Sequence, residues 1–543
     1  MVRSPRQEPA KPAGRPPGRL AGRWPALLAL LVMAIVALTA GCAGGGAGGH
    51  ASSTQPPTSQ EPGSTQTTAI APSSTTLPPA TQPPSTAPST TIQATAGSSD
   101  SGDPYFPSLG NGGYDVQNYD ISLNIDPVSG RIAGNEVIVA FALQDLSAFY
   151  LDLQGLEAMD LHVNGLAASF QQEGRELRIA CPAAVAKGAR FVVAMTYSGI
   201  PTPITAKLFS MGWQKTGDTI FTLDEPQGAS SWFPVNDTPA DKATYTFHLT
   251  VPAPYTATAN GVLVGNEPAE TGRTFTWNMD KPMASYLAAV DVGRFSLETS
   301  TSAGGVTIRN YFATDLASAA HAAFSRTGDV IDYFASLFGP YPFAVYGVVV
   351  PDSASGAAME NQTLSLFGRD VVTQKMADAT SGAIFLSHEL AHQWFGDSVT
   401  IEGWNDIWLS EGFATYASWL WLEHDQGRQA LEEQVKLSQD LLSKSLEAPP
   451  GTPGADHMFG VSVYRRGALT LHALRLTVGD GTFFRILRTW ADRYKYGNAE
   501  TADFIALAKE EAPQVPAAQL DALFQAWLYG AGLPALPAAS SAN

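Results

Sequence analysis

From Tyr114 onward the chain alternates. Tyr119, Ile121, Leu123 and Ile125 take turns with Asp120, Ser122 and Asn124, the period of two expected of a strand with one buried face. Val137, Val139 and Phe141 continue the pattern, and Leu161 to Gly165 closes on Asn164-Gly165, a hairpin signal. Phe191–Tyr197 and Tyr245–Val251 read as further strands. Residues 105–298 therefore predict an antiparallel all-β domain of short strands and frequent turns. After about Thr299 the spacing changes. Leu316 to Phe338 carries helical spacing without proline, and Tyr346–Val350 reads as a buried strand. Ala383, Ile384, Phe385, Leu386, Leu390, Ala391 and Phe395 fit a largely buried helix. Asp406 to Tyr416 starts a second helix, and Gly530, Gly532 and Pro534 stop the last one. The expected architecture is multidomain α and β. The β domain is followed by a mostly helical domain with a small sheet over 299–537, and 538–543 form a tail.

The stretch before residue 105 is of another kind. Residues 43–104 are mostly Ser, Thr, Pro, Gly, Ala and Gln, too poor in apolar side chains to fold, and predict a disordered tether or a sugar-bearing stalk. Residues 1–42 hold Arg3, Arg6, Lys11, Arg15, Arg19 and Arg23, then an apolar run from Ala26 to Ala40. That is the grammar of an export signal, and the run is short for a span of ~20 residues. Leu38-Thr39-Ala40-Gly41-Cys42 resembles a bacterial lipobox, with threonine where leucine is usual. It predicts lipidation of Cys42 and an extracytoplasmic protein held on the cell membrane. The alternatives are an ordinary signal peptide, which would give a secreted protein, or an uncleaved anchor.

Composition excludes more than it selects. At 543 residues and 44% apolar content the chain can bury a large core in two or three domains. A net charge of −18 argues against a nucleic-acid partner, which needs a basic face. The two cysteines, Cys42 and Cys181, offer neither a disulfide framework nor a metal cluster. Cys181 is expected to be a small buried apolar residue.

The chemistry lies in His388-Glu389-Leu390-Ala391-His392, with Glu411 nineteen residues after the second histidine. Histidines four apart share one face of a helix, so both imidazoles can face one metal ion. Glu389 can then reach a water on that metal. Glu411, among apolar neighbours, is a buried carboxylate that wants a metal or a cation. Three protein ligands with a fourth position open are the pattern of a catalytic zinc, one Zn2+ per chain.

Three further motifs occur in order around this one: Glu225 to Pro239 in the β domain, Ala357-Ala358-Met359-Glu360-Asn361, and Val463-Tyr464-Arg465-Arg466-Gly467. With the zinc motif they resemble the gluzincin peptidases of the aminopeptidase N and leukotriene hydrolase family, over about Tyr114 to Pro537. The resemblance implies a β-saddle domain, a thermolysin-like catalytic domain, and removal of amino-terminal residues from peptides with a free amino end. It implies that His388, His392 and Glu411 hold zinc and that Glu389 is the general base. Tyr464 would donate to the oxyanion. Glu360 and Glu225, with Ala358 and Met359, would receive the substrate's amino terminus. The departures are Ala357 where the family has glycine, and Arg465-Arg466 where it has Glu-Lys. Asn361-Gln362-Thr363 matches a glycosylation sequon, discounted because it falls on the active-site strand. A gluzincin endopeptidase and a catalytically silent surface binding lipoprotein are the competing readings.

Overall fold

The computed structural model describes residues 93–205, 210–353, 355–444 and 447–538. The expected export segment, Cys42 and the expected tether up to residue 92 lie outside the described residues. The alternating stretch folds into an eight-stranded sheet. Its order is Val262–Ala269, Gly272–Met283, Ala243–Val251, Tyr114–Ile125, Ile132–Ala142, Arg190–Gly199, Glu157–Val163 and Leu166–Ala167. Along Ile132–Ala142 the side chains alternate between core and solvent, but the buried side chains are Ile132, Ile138, Ala140 and Ala142 together with Glu136, while Val137 and Phe141, read as part of the buried face, are exposed and Val139 is only partly buried. The sheet is antiparallel apart from one parallel pair, Ala243–Val251 beside Tyr114–Ile125. The Asn164-Gly165 signal does make a hairpin, with φ of 50° and 76° at the two residues. A four-stranded and a five-stranded sheet complete the β lobe.

The second lobe carries another five-stranded sheet, ordered Phe295–Thr301, Thr307–Ala313, Val345–Val350, Ser365–Phe367 and Ala358–Met359. Its first strand straddles the expected boundary at 298, because its backbone partners lie on Thr307–Ala313. The last strand, Ala358–Met359, is the sheet edge and runs antiparallel to its neighbour. Helices α1 (Ala317–Phe324), α2 (Thr327–Phe338), α3 (Ala379–Ala391), α4 (Trp408–Gln426), α5 (Arg428–Leu442) and α6 (Gly467–Val478) follow or surround it. The molecule is thus mostly β first and mostly helical second. Among the described residues no helix is long and apolar enough to cross a membrane.

Three more expectations change. The stretch read as one helical run from Leu316 to Phe338 is two helices. Ser325 and Thr327 hydroxyls take the carbonyls of Ala322 and Phe324, a competition that interrupts a helix, and Arg326 leaves to stack on Trp421. The expected tether is not unstructured to residue 104. Thr95–Ala96 pairs with Leu146 and Ala148, and the Asp103 carboxylate accepts the backbone N–H of Tyr105, Phe106 and Trp404. These bonds use backbone and one acid, so a reading based on apolar content misses them. Cys181 is half-buried and unpaired rather than buried.

Candidate metal and active site

α3 begins at Asp378, whose carboxylate caps the Ser381 N–H, and ends at Ala391 with His392 as its C-cap. α4 carries Glu411 in its first turn. The two helices run antiparallel. Thr380 meets Gln426 at one end, and His392 meets Ser410 at the other. This brings His388, His392 and Glu411 together with ligand atoms within 4.8 Å of one another.

The donor set suits a metal ion. His388 Nε2 lies 3.1 Å and His392 Nε2 3.5 Å from Glu411 Oε2, and the two ring nitrogens are 3.2 Å apart. Tetrahedral zinc with bonds of ~2.0–2.1 Å places its ligand atoms about 3.3 Å apart, and two imidazoles with a carboxylate are zinc donors. The outer side of His392 is also arranged for this. Its Nδ1 is 3.1 Å from the Phe395 carbonyl and 3.1 Å from Ser410 Oγ, contacts that keep Nε2 turned inward. Gly396, at φ 132°, leaves room for that pairing: a Cβ there would sit 2.6 Å from Ser410 Oγ.

Four carboxylates crowd this space. Glu225, Glu360, Glu389 and Glu411 line one cleft with His388, His392 and Tyr464. Glu389 is 7% exposed and burial raises its pKa well above the usual carboxylate range. Burial likewise raises Glu360, and it raises Glu225 further, with the Glu360 charge adding to the effect. Glu411 behaves differently. Burial pushes it up, but the hydrogen bonds from His388 and His392 outweigh that and hold it well below the ordinary range. For His392 burial works downward, and the carboxylates of Glu360, Glu411 and Glu389 outweigh it and raise it well above the usual imidazole value. The Tyr464 hydroxyl donates to Glu411 Oε1 at 2.7 Å, and burial raises its pKa.

The lobes meet at the strand that presents Glu360. Asn260 of the β lobe donates to the Gln362 carbonyl, and Gly261 N–H donates to the Thr363 hydroxyl. Thr363 sits at φ 68°, a costly conformation for a β-branched residue. Gln393, next to His392, donates to the Glu360 carbonyl and accepts from Thr363 N–H. Glu360 and the metal helix therefore share one rigid frame. Lys242 of the β lobe donates to the carbonyls of Asp397 and Ser398 just past α3, and burial lowers its pKa to about 7.

All the candidate side chains of the described region converge on this cleft, including Ala358 and Met359 on the edge strand. Ala357 lines it too, so the methyl that replaces the family's hydrogen faces the same space. The sequon residues Asn361, Gln362 and Thr363 are buried. Of the two departing arginines, Arg466 turns away and binds the carbonyls of Ala526, Trp527 and Gly530, while Arg465 lines the cleft. Ser410 and Gln393 were not singled out from the sequence, although each adjoins a ligand position; Asn260 and Lys242 carried no local signal.

Comparison with known proteins points one way. The Peptidase M1 N-terminal domain model matches residues 116–287, and the Peptidase family M1 domain model matches residues 322–527. "Aminopeptidase M1" of Arabidopsis thaliana is 27% identical over 454 residues, 77% of this chain and 50% of that protein. Glutamyl aminopeptidase of Sus scrofa is 30% identical over 334 residues, 58% of this chain and 35% of that protein. The chain spans about half the length, or less, of these curated relatives. The crystal structure of an M1 zinc metallopeptidase from Deinococcus radiodurans is similar at a TM-score of 0.75 and 30% identity, covering 81% of this chain and 100% of that one. A mutant of that enzyme bound to a Tyr-Ser-Ala substrate is similar at 0.74 and 31%, covering 81% and 99%.

Proposed function

The chain belongs to peptidase family M1, and on that premise we propose that it is a zinc aminopeptidase releasing amino-terminal residues from peptides. One observation carries the reading. Glu360 and Glu225 enter the cleft of the metal ligands from two lobes, and Glu360 Oε1 has no hydrogen-bond partner. A buried acid without a partner is costly unless a cation arrives. The cleft also holds Lys375 and Arg465, but neither forms an ion pair with the four carboxylates beside the two imidazoles; a divalent metal and a substrate ammonium are the cations that can reach those acids.

His388, His392 and Glu411 would hold zinc. When bound, zinc supplies a Lewis acid for the scissile carbonyl and lowers the pKa of water. Glu389 has no hydrogen-bond partner among the described residues and is free to take the proton of the attacking water. It returns that proton to the leaving amine nitrogen. Tyr464, whose hydroxyl donates to Glu411 Oε1, would turn that hydroxyl toward the carbonyl oxygen as charge gathers there. Glu360 and Glu225 pair with the free ammonium and so set the register of cutting. Ala358–Met359, as the sheet edge, is available to pair with the peptide main chain.

A direct test combines metal analysis with product analysis. About one zinc per chain, stepwise release of amino-terminal residues, loss of activity on chelation and its return with zinc are expected. Internal fragments appearing first would favour the endopeptidase reading. A metal-free, inactive protein would favour the silent binding lipoprotein.

The export segment and lipobox-like Cys42 support a location outside the cytoplasmic membrane, tethered by a lipid, with soluble release as the alternative. Labelled fatty acid incorporated by the native chain and absent from Cys42→Ser is the expected result. Equal labelling of both would reject lipidation at this cysteine.

A further inference from the structure

Two cations line the same cleft as the four acids: Lys375 and Arg465. Their positions are sorted along the metal helix. Glu360 belongs to the His392 end, where Gln393 holds its carbonyl. Lys375 lies at the other end, its Nζ 5.7 Å from the centroid of the Phe385 ring, one turn before His388. Arg465 lies over the Trp419 ring at 6.0 Å, two turns beyond Glu411 on α4. Because α3 and α4 are antiparallel, Phe385 and Trp419 fall on the same side of the metal ligands. The cleft is thus acidic at one end and cationic at the other.

Neither cation is in an ion pair with a described carboxylate, although the Asp370 charge acts on Lys375 from farther off. Arg465 is 3% exposed, yet its hydrogen bond is to a neutral group, Gln434 Oε1 at 3.3 Å. Lys375 donates to the Gly356 carbonyl at 3.0 Å. Among the described residues no carboxylate lies within ion-pair distance of either. A buried guanidinium without a counterion is as anomalous as the orphan Glu360, and the same reasoning applies: its partner arrives with a ligand. Burial lowers the pKa of both groups.

We propose that Lys375 and Arg465 form a carboxylate-binding wall on the leaving-group side of the cleft, receiving an anionic group of the substrate downstream of the cut. This rests on the aminopeptidase reading above. The reach fits. From His392 back to Phe385 is seven residues, ~10 Å along a helix, and an extended chain covers ~10 Å in three residues at ~3.3–3.6 Å each. A peptide whose ammonium meets Glu360 therefore brings its second or third residue to the cations. The carboxylate is either an acidic side chain there or the carboxy terminus of a very short peptide. Arg465 stands where the family has glutamate, so this end of the cleft has its charge reversed relative to that pattern.

The test measures binding separately from turnover. Leu-Gly-Gly is compared with its carboxy-terminal amide, and Leu-Glu-Gly amide with Leu-Gln-Gly amide. Calorimetry on zinc-loaded Glu389→Gln protein reads affinity, and wild-type kinetics read kcat and KM. At least one carboxylate-bearing peptide should bind about 10- to 100-fold tighter than its neutral twin, the range of a hydrogen bond to a charged group. The same advantage should appear in KM. A response in the first pair assigns the wall to the carboxy terminus, and one in the second pair assigns it to an acidic side chain. Adding Lys375→Gln or Arg465→Gln should shrink the advantage. Lys375 is half-buried, so its variant carries the test if the Arg465 variant fails to fold. Ratios within about twofold of one for both pairs, ratios that survive both substitutions, or no binding by any peptide would overturn the inference. Wild-type hydrolysis of the four peptides with flat ratios sinks only this inference, whereas no binding together with no hydrolysis sinks the functional reading with it.

Discussion

Two groups of buried acids in this molecule look alike in sequence and differ in their surroundings. In the β lobe, Asp152 and Asp237 share Arg175 at 3.2 and 3.6 Å. Asp152 also accepts from Asn111 and from Asp237 N–H, and Asp237 from Ser285 and Ser230 N–H. Asp241 nearby accepts from Asn236 and Val116 N–H. In the cleft, the buried Glu360 Oε1 has no such partner. The satisfied group is architecture, and the unsatisfied group waits for cations. An orphan acid alone does not make a site: Glu136 and Asp291 also lack partners, but neither lines the cleft. What distinguishes the cleft is an orphan acid, Glu360, among further carboxylates around a ready metal-donor set.

That contrast can be broken in several places. The largest effect belongs to Glu389→Gln, which should lower kcat by about 10^2–10^4-fold with zinc content unchanged by metal analysis. Full activity with zinc retained would end its assignment as the base. Arg175→Ala should act on folding instead. It strands Asp152 and Asp237, and denaturant unfolding should show a loss of about 3–5 kcal/mol; an unchanged midpoint would remove the β-lobe half of the comparison. Glu360→Gln should separate the two roles. It relieves an uncompensated charge, so the metal-free protein should melt no lower than wild type. At the same time kcat/KM on free-amino peptides should fall about 10- to 100-fold.

The last effect, and the smallest per step, is a pH slope. Burial is the main cause that raises Asp241 to about 7, from an ordinary carboxylate value of 3.8. The folded state then binds this proton more tightly than the unfolded chain. Stability from this group is fully present below about pH 4 and is lost as pH rises through about 7, at up to ~1.4 kcal/mol per unit. Thermal melts of Asp241→Asn should show a flatter profile across that window than wild type. Identical profiles would show that Asp241 does not contribute to it.

The metal ligands were legible because their geometry is local. A spacing of four on one helix, and a carboxylate in the first turn of the next, fix His388, His392 and Glu411 with little help from the rest of the fold. Alternation did the same for Tyr114–Ile125, where one face must be buried. What was hidden depends on distant chain. The pairing of Thr95–Ala96 is made by backbone groups, which composition does not register. The clamp of Asn260 on Gln362 joins residues from two lobes. Lys375 carried no local signal, and Arg465 was noticed only as a departure from a motif. The break at Ser325–Arg326 depends on hydroxyl competition and on a tryptophan nearly a hundred positions away. Glu225 and Glu360 fall between these cases: a resemblance named them, and the fold brings both into the cleft.

The central claim is that the cleft's unsatisfied acids exist to receive a metal and a free amino terminus. The most direct measurement is kcat/KM for one peptide and its N-acetylated twin on the zinc-loaded protein. Acetylation removes the ammonium and leaves Glu360 and Glu225 unpaired against a neutral amide, so the blocked peptide should be at least about 100-fold worse. Equal values for the two peptides would contradict the account.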